Sequence, residues 1–233
     1  VNLAWDKHLP LVKLLGDYLQ LPVILTNDAN AAALGEMYYG GAKGMQNFML
    51  VTLGTGLGCG IVMDGKIYNG NEGYAGEMGH VIIRDQGRSC SCGRKGCLET
   101  YVSATGIKRT VCKFLAKYDE KSVLRDIPFN KISAKKLAIA AYGGDKVAIE
   151  SFEYTGRLLG KTLANVAAMN NPEAIFLSGG LAKAGDLILK PTQYHMEENL
   201  LSVLKGKIKL ELSSIDSNAG VVGSAALVFA NGH

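Results

Sequence analysis

The sequence predicts an α/β fold, because helical and strand patterns alternate along its 233 residues. Apolar residues at helical spacing mark the longer segments, whereas short apolar runs bounded by glycine mark strands. Hydrophobic residues make up 48% and charged residues 20% of the chain, which is typical of a globular protein with a substantial core. This length allows one large domain or two lobes.

The first part of the chain predicts a helix, a strand and a second helix. Apolar residues recur at helical spacing in residues 6–19, and a short apolar strand is expected at residues 23–25. The polar turn at residues 26–28 has side chains that begin helices, and an alanine-rich helix should extend to about Tyr39. Glycines at positions 40 and 41 end it.

The middle and last parts predict a run of antiparallel strands followed mostly by helices. The strands are expected at residues 48–53, 59–63 and 66–68. The later helices are expected at about 103–118, 133–142, 145–169, 183–200 and 220–230. Two further strands are expected, a buried one at residues 174–177 and another near 207–213.

Charge and cysteine content restrict the function classes. The net charge is +4, and no block of lysine or arginine suggests an arm that binds nucleic acid. No signal peptide or apolar span opens the chain, so we expect no membrane segment and a cytoplasmic location. The five cysteines fit a reducing compartment, since a disulfide framework would leave one unpaired.

One histidine and three cysteines have the spacing of a metal site. His80 is followed by Cys90, Cys92 and Cys97 in a segment that also contains two glycines suited to tight turns. Three thiolates and one imidazole complete a tetrahedral zinc shell and leave no open position, so the sequence predicts structural zinc. Ordinary thiols and a disulfide are the alternatives.

Two glutamates flank this segment. Glu77 precedes His80 by three residues, and Glu99 follows Cys97 by two. Carboxylates and imidazoles suit the adjacent hydroxyl groups of a sugar, since they make several hydrogen bonds with them. A metal would order both glutamates and fix the histidine ring, whose second nitrogen could then donate to a ligand. The alternative is that both glutamates are surface charges.

Two glycine-containing turns carry weaker signals. Residues 54–58, which we name the glycine hairpin, join two predicted strands and match neither a Walker loop nor a Rossmann turn. Such a hairpin can present backbone N–H groups to an anion, or it can be a plain turn. Residues 178–180 follow a buried strand and would let adenine approach the backbone, or simply connect a strand to a helix.

Asp28 has two interpretations. At the start of a predicted helix it reads as an N-cap, which the spacing alone favours. A carboxylate at a strand-to-helix junction can also act as a general base, removing the proton from a substrate hydroxyl that attacks a phosphoryl group. Asn27 could then form a hydrogen bond with the same substrate.

Together these segments resemble the ROK family (repressors, open reading frames and kinases), and the resemblance covers essentially the whole chain. The cysteine motif with its upstream EMGH is the most specific part. The matching strings are NDANAAALGE (27–36), LGTGLGCG (53–60), EMGH (77–80), CSCGRKGCLE (90–99), LSGG (177–180) and GVVGSAAL (220–227). The resemblance implies an actin-like (ribonuclease H-like) two-lobe sugar-kinase fold. It also implies transfer of the ATP γ-phosphate, with Mg²⁺, to a hexose or amino sugar.

The resemblance implies a role for each candidate residue. Asp28 looks like the catalytic base. The implied sugar-binding residues are Asn27, Glu77, His80 and Glu99. The implied zinc-binding residues are His80, Cys90, Cys92 and Cys97. The implied contacts with phosphate and adenosine are Gly54, Thr55, Gly56, Gly58, Gly179 and Gly180.

The resemblance also predicts an incomplete N-terminal lobe. Residues 1–45 and a C-terminal helix at 218–233 would be its remnants, and residues 46–217 would form the C-terminal lobe with the zinc loop at 77–99. The family begins with a D-x-G-x-T phosphate loop that this chain does not show. Since that loop helps to stabilise the transferring phosphoryl group, we expect the isolated chain to be a weak or inactive kinase.

The resemblance implies a hexokinase, and the first hypothesis is a glucokinase that converts glucose to glucose 6-phosphate, because this form of the cysteine motif suits the glucose and N-acyl amino sugar kinases of the family. N-acetylglucosamine and N-acetylmannosamine kinases share the motif and stay open as alternatives. A sugar-sensing transcriptional repressor is another alternative, and it would bind nucleic acid through an upstream helix-turn-helix. Retention of Asp28 and of the glycine hairpin favours the kinase, because a sensor needs only the sugar contacts. A homodimer is expected from the family alone.

Overall fold

A computed structural model describes residues 9–215 and 219–230, and in this part of the chain helices cover both faces of one mixed sheet. The strands are β1 (Phe48–Leu53), β2 (Leu57–Met63), β3 (Lys66–Ile67), β4 (Ala174–Ser178) and β5 (Lys209–Leu212). The helices are α1 (Leu11–Leu19), α2 (Asp28–Tyr39), α3 (Glu99–Val102), α4 (Ala104–Lys117), α5 (Ala134–Tyr142), α6 (Lys146–Asn170), α7 (Asp186–Asn199) and α8 (Ala219–Ala230).

The sheet has the strand order β3-β2-β1-β4-β5. β1 pairs antiparallel with β2 and parallel with β4, and β5 runs parallel to β4. The carboxyl ends of β1, β4 and β5 therefore meet at one edge of the sheet. In open sheets of this kind, ligands bind outside the carboxyl ends of the strands.

Side chains of β1 alternate between two cores, as the two-residue period of a strand requires. Phe48 and Leu50 belong to a small core that also contains Phe176, and the two phenylalanine rings meet edge to face at 6.0 Å. Met49 and Val51 point into the larger core, which the helices of the opposite face complete. The strand is buried on both sides, so its sequence is apolar at every position except Thr52.

Small residues place α2 directly against β2. Residues 29–36 of the helix are buried, and Gly60 of β2 lies beneath them. A Cβ atom at Gly60 would come within 2.6 Å of the Ala29 carbonyl oxygen and 2.7 Å of the Ala33 Cβ. Only glycine leaves room for this approach, which fixes the position of the first residues of α2 relative to the sheet.

Most predicted elements are confirmed, with ends that move by a few residues. The predicted strand at residues 23–25 is wrong, because no described residue pairs with this segment, and Ile24 and Leu25 are exposed. A strand is stable only beside a hydrogen-bonded neighbour, and a local apolar sequence does not show whether such a neighbour is present. The short helix α3 was not predicted. Residues 6–8 of the first predicted helix and parts of the predicted 218–233 helix lie outside the described residues.

α1 has no buried residue, and Leu14, Tyr18 and Leu19 are exposed on it. No helix in the described ranges is both long enough and apolar enough to cross a membrane.

Close packing of α8 on α2 generates a prediction about stability. A Cβ atom at Gly223 of α8 would overlap the carbonyl group of Ala31 in α2. We expect Gly223→Ala to lower the free energy of unfolding by about 1–3 kcal/mol through overpacking, as measured by urea denaturation.

Gly220→Ala in the same helix is the matched control. Among the described residues, no atom lies within 4 Å of the position that its Cβ would occupy. This change should be neutral or stabilise by up to about 1 kcal/mol, since alanine favours helix more than glycine does. Equal effects of the two substitutions would contradict the packing.

Candidate active site

A cleft of about 700 Å³ lies at the edge of the sheet where β1, β4 and β5 end. Each strand contributes the residues that directly follow it. Gly54 comes from β1, Gly179 and Gly180 come from β4, and Ser213 comes from β5. Asp28, at the start of α2, lines the same cleft. The structure thus brings together the predicted base, part of the glycine hairpin and the predicted adenosine contact.

Asn27, not Asp28, is the N-cap of α2. The Asn27 Oδ1 atom accepts hydrogen bonds from the backbone N–H groups of Ala29, at 2.8 Å, and Asn30, at 3.4 Å. Asp28 is the first helical residue, and its Oδ1 atom accepts from the Ala29 N–H group at 2.8 Å. The capping interpretation of Asp28 is corrected in this respect. A carboxylate here is favoured by the positive end of the helix dipole.

The turn after β4 lies directly on the end of β1. Gly179 has a φ of +91°, and a Cβ atom there would come within 2.7 Å of the Leu53 carbonyl oxygen. That oxygen accepts a hydrogen bond from the Leu181 N–H group at 3.0 Å. At Gly180 no atom of residues 9–215 and 219–230 lies within 4 Å of the Cβ position, so the backbone of this residue faces the open cleft. A flat ligand can therefore approach the turn closely.

The glycine hairpin uses part of its donor capacity internally. The N–H group of Gly54 donates to the Gly56 carbonyl at 3.1 Å, and that of Gly58 donates to Thr52 Oγ1 at 3.2 Å. Gly58 also packs against Ala29 of α2. This geometry favours Thr55, which is exposed, and Gly56 as the hairpin residues whose N–H groups face a phosphate.

The predicted metal-binding residues converge. The ligand atoms of His80, Cys90, Cys92 and Cys97 all lie within 4.8 Å of one another. The Cys90 Sγ and His80 Nδ1 atoms are 3.6 Å apart, as are the Cys92 and Cys97 Sγ atoms. A zinc tetrahedron with Zn–S bonds near 2.3 Å has edges of about 3.8 Å, so the donor set fits zinc.

Backbone turns hold these donors in place. The Cys90 N–H group donates to the Arg94 carbonyl at 2.9 Å, and the Gly93 N–H group returns to the Cys90 carbonyl at 3.2 Å. Gly93 and Gly96 have φ values of +84° and +80°, which glycine adopts without strain. The glycines in the motif are thus required by the turns themselves.

The cysteines differ in their acidity. Burial raises the pKa of the Cys59 thiol, which lies in β2, to about 12, as expected for an inert core residue. A hydrogen bond from Arg94 lowers the pKa of the Cys92 thiol to about 6. Burial raises the pKa of the Cys90 thiol to about 12, and its hydrogen bond to Glu99 adds to this. Metal binding would release the Cys90 proton, since thiolate is the ligand.

The two glutamates lie on different sides of the His80 ring. The His80 Nδ1 atom, which faces the cysteines, is 3.8 Å from Glu99 Oε1. The Nε2 atom of the same ring is 3.7 Å from Glu77 Oε2. The Glu99 side chain is only 17% exposed and closely approaches Gly56, where a Cβ atom would come within 2.8 Å of Glu99 Oε2. The glycine hairpin therefore lies between Glu99 and the cleft that contains Asp28, although Asn27, Glu77, His80 and Glu99 do not themselves line that cleft.

Some cleft residues were not found from the sequence. Ser213 and Lys183 line the cleft, and the Ser213 hydroxyl donates to the fully buried carboxylate of Glu36. The other Glu36 oxygen accepts from the Gly41 N–H group at 2.8 Å. Ser213 is the last residue of a predicted strand, so its position at the sheet edge could have been inferred from the sequence. Glu36 lies in α2, and nothing in the neighbouring sequence indicates that it pairs with Ser213.

A protein-family model described as the ROK family matches residues 1–231 of this chain. The chain belongs to the ROK family. A glucokinase from Halalkalibacterium halodurans is 40% identical over 98% of the chain and 69% of its own length. A ROK family glucokinase from Streptomyces griseus, solved with glucose and AMPPNP, is 34% identical, with a TM-score of 0.87 over 97% of this chain and 74% of its own.

The ROK family also includes regulators. A solved ROK family transcriptional regulator, a homologue of the Escherichia coli MLC protein, is 33% identical, with a TM-score of 0.85 over 94% of this chain and 55% of its own. The kinase and the regulator thus share the fold of this chain. These comparisons confirm the predicted family and the predicted actin-like fold class.

The metal cluster generates a prediction about composition. We expect the purified protein to contain about one zinc ion per chain, because the donors form a complete structural shell. The change Cys92→Ser should remove most of the zinc, as measured by plasma mass spectrometry, since it removes one of the four ligands.

Cys112→Ser is the matched control, because Cys112 lies on α4 outside the cluster and burial raises its pKa. This variant should keep the zinc content of the unchanged protein. Equal zinc content in both variants, or no zinc in the unchanged protein, would contradict the site.

Proposed function

We propose that this chain, when the family's N-terminal phosphate-loop segment precedes it, transfers the γ-phosphate of ATP to glucose and forms glucose 6-phosphate. Its family and its glucokinase relatives make it a sugar kinase, a phosphotransferase acting on an alcohol group. The observation that carries the assignment to this cleft is the meeting of Asp28, Gly54, Gly179 and Gly180 around one cavity. A base and two glycine turns at the carboxyl ends of parallel strands suit a sugar hydroxyl beside a nucleotide.

Asp28 is proposed as the general base. Its carboxylate takes the proton of the sugar hydroxyl while the hydroxyl oxygen forms a bond to the γ-phosphorus of ATP. The bond between the γ-phosphorus and the bridging oxygen breaks, and ADP leaves with that oxygen. Because Asp28 lies at the helix start and lines the cleft, it can face the attacking hydroxyl without rearrangement of the backbone.

The nucleotide is proposed to lie along the glycine turns. Open space at Gly180 supports adenosine at this turn, and the N–H groups of Thr55 and Gly56, beside the cleft residue Gly54, are proposed to meet phosphate oxygens. Lys183 adds a cation to the cleft wall. Mg²⁺ bound with ATP would neutralise negative charge on the phosphates.

The sugar is proposed to lie between Asp28 and the metal loop. Asn27, Glu77, His80 and Glu99 supply amide, carboxylate and imidazole groups for its hydroxyls. His80 and the three cysteines would hold zinc, whose role would be to order the loop and not to take part in the reaction. The nitrogen of His80 that faces Glu77 stays available to the sugar.

The division into lobes is part of this proposal. α2, in residues 1–45, packs against α8, and the whole sheet lies within residues 46–217. This packing supports the assignment of α8 to the same lobe as α2. A homodimer and a cytoplasmic location stay predictions.

A sugar-sensing repressor is the second candidate function. The similarity to the ROK family regulator favours it, since that protein has the same fold at nearly the same identity as the kinase. A sensor would bind the sugar in the same cleft without turning over ATP. N-acetylglucosamine and N-acetylmannosamine remain the alternative kinase substrates.

One assay separates these functions. ADP release from ATP and Mg²⁺ is measured with glucose, N-acetylglucosamine, N-acetylmannosamine and fructose, on a protein in which the family's N-terminal phosphate-loop segment precedes this chain. We expect turnover with glucose, and a fall in kcat of about 10²–10⁴-fold in Asp28→Asn, because the amide cannot accept the proton.

Asp126→Asn, at an exposed position that does not line the cleft, is the matched control and should keep the full rate. Turnover with an N-acetyl sugar in place of glucose would change the assigned substrate. Sugar binding with no turnover on any of the four sugars would reject the kinase in favour of the sensor.

A further inference from the structure

A second concave region lies between the loop at residues 84–88, α4 and α6. It consists of two adjoining cavities of about 580 and 380 Å³ that share Arg84, Lys113 and Tyr154. Neither shares a lining residue with the cleft that contains Asp28. We name this region the basic groove, after the cations that line it: Arg84, Arg88, Lys113, Lys117 and Arg157.

The positive charge of the basic groove is incompletely neutralised. Three carboxylates, Asp85, Glu150 and Glu153, border it beside the five cations. Glu150 accepts from the Tyr118 hydroxyl at 3.0 Å, and Glu153 is 2.7 Å from the His195 Nε2 atom. Within residues 9–215 and 219–230, no carboxylate lies within 4.0 Å of the charged groups of Arg84, Lys113 and Arg157. These cations repel one another until an anion joins them.

Tyrosine rings hold two of the cations at the groove. The Arg84 guanidinium lies 5.8 Å from the ring centroid of Tyr101 and 5.6 Å from that of Tyr154. The Arg157 guanidinium is 5.4 Å from the Tyr154 centroid. Contacts of this kind order a long side chain and keep its N–H groups free to bind. Less rotamer freedom is then lost when a ligand arrives.

We propose that the basic groove binds a phosphorylated small molecule, with Arg84, Lys113 and Arg157 on the phosphate oxygens. A phosphate ester carries nearly two negative charges and three acceptor oxygens. It can therefore bind several cations at once, whereas a carboxylate carries one charge and two oxygens. Cavities of a few hundred Å³ accept ligands of this size. The bordering carboxylates disfavour a long polyanion such as nucleic acid. This proposal does not rest on the kinase assignment.

The occupant would also contact the loop that carries the metal-binding residues. Arg84 and Arg88 lie between His80 and Cys90, and the Arg88 carbonyl accepts from the Gly96 N–H group at 2.8 Å. Arg88 itself is fixed by hydrogen bonds to the carbonyls of Thr100 at 2.7 Å and Gly106 at 2.9 Å. It therefore forms a rigid side of the groove, whereas Arg84 and Lys113 are exposed and can reach a ligand.

Isothermal titration calorimetry tests the proposal with two probes, inorganic pyrophosphate and glucose 6-phosphate, in saturating AMPPNP so that any nucleotide site in the cleft is filled. We expect binding of at least one probe, weakened about tenfold or more in Lys113→Glu, since charge-assisted hydrogen bonds to phosphate are the strong ones. Lys135→Glu, at an exposed position on α5, is the charge-matched control and should keep the affinity. Arg84→Lys should also weaken binding, because lysine lacks the planar fork.

The probes distinguish the source of the phosphate. Binding of both supports recognition of the phosphate group itself, and binding of glucose 6-phosphate alone supports recognition of an ester with its sugar ring. Equal affinity in Lys113→Glu and Lys135→Glu, or no binding of either probe, would overturn the proposal. A change of molecular mass on light scattering in Lys113→Glu alone would also overturn it, because the groove would then be an interface between copies of the chain.

Discussion

The convergence of four donor atoms in residues 80–97 is the constraint on which the proposed sugar site depends. Backbone turns and the hydrogen bonds of Arg88 also restrain this loop, but few of its side chains are buried, since residues 84–86 and 93–95 are exposed and Val81 and Ile82 are largely so. Hydrophobic burial therefore contributes little to its order, and a metal that binds only the folded loop would contribute much more. Binding of a metal by the loop would also fix the positions of the two glutamates, because each lies beside the His80 ring.

The sheet supplies the other half of the site. Parallel pairing of β1 with β4 brings two glycine turns to one edge, and the tight contact of α2 with Gly60 brings Asp28 to the same edge. The glycine hairpin joins the two halves, with Gly54 at the cleft and Gly56 against Glu99. A phosphoryl group held by the turns and a hydroxyl held by the loop would thus meet near one carboxylate. This geometry favours transfer, because positioning and electrostatic stabilisation dominate the catalysis of phosphoryl transfer.

Local features were predictable from the sequence, whereas features formed by distant residues were not. Glycine and helix-start residues gave most helix and strand ends, and the cysteine spacing gave the metal cluster, since both signals are contained in short segments. The hydrogen bond between Glu36 and Ser213 joins residues 177 positions apart and left no local trace. The basic groove combines Arg84, Lys113 and Arg157 from three elements, and in the sequence these residues look like scattered surface charges. The capping role moved from Asp28 to Asn27 because adjacent polar residues compete for it, which spacing alone cannot decide.

The central claim is that closure of the metal loop creates the sugar site. Its most direct test is the affinity for glucose, measured by calorimetry on zinc-loaded protein, on protein stripped with a chelator, and on protein resupplied with zinc. The account predicts that stripping weakens glucose binding about tenfold or more, as the loss of ordered charged hydrogen-bonding groups would, and that zinc restores it. Binding of AMPPNP should change little, because the glycine turn after β4 does not belong to the loop. Unchanged glucose affinity in stripped protein that still binds AMPPNP would contradict the account.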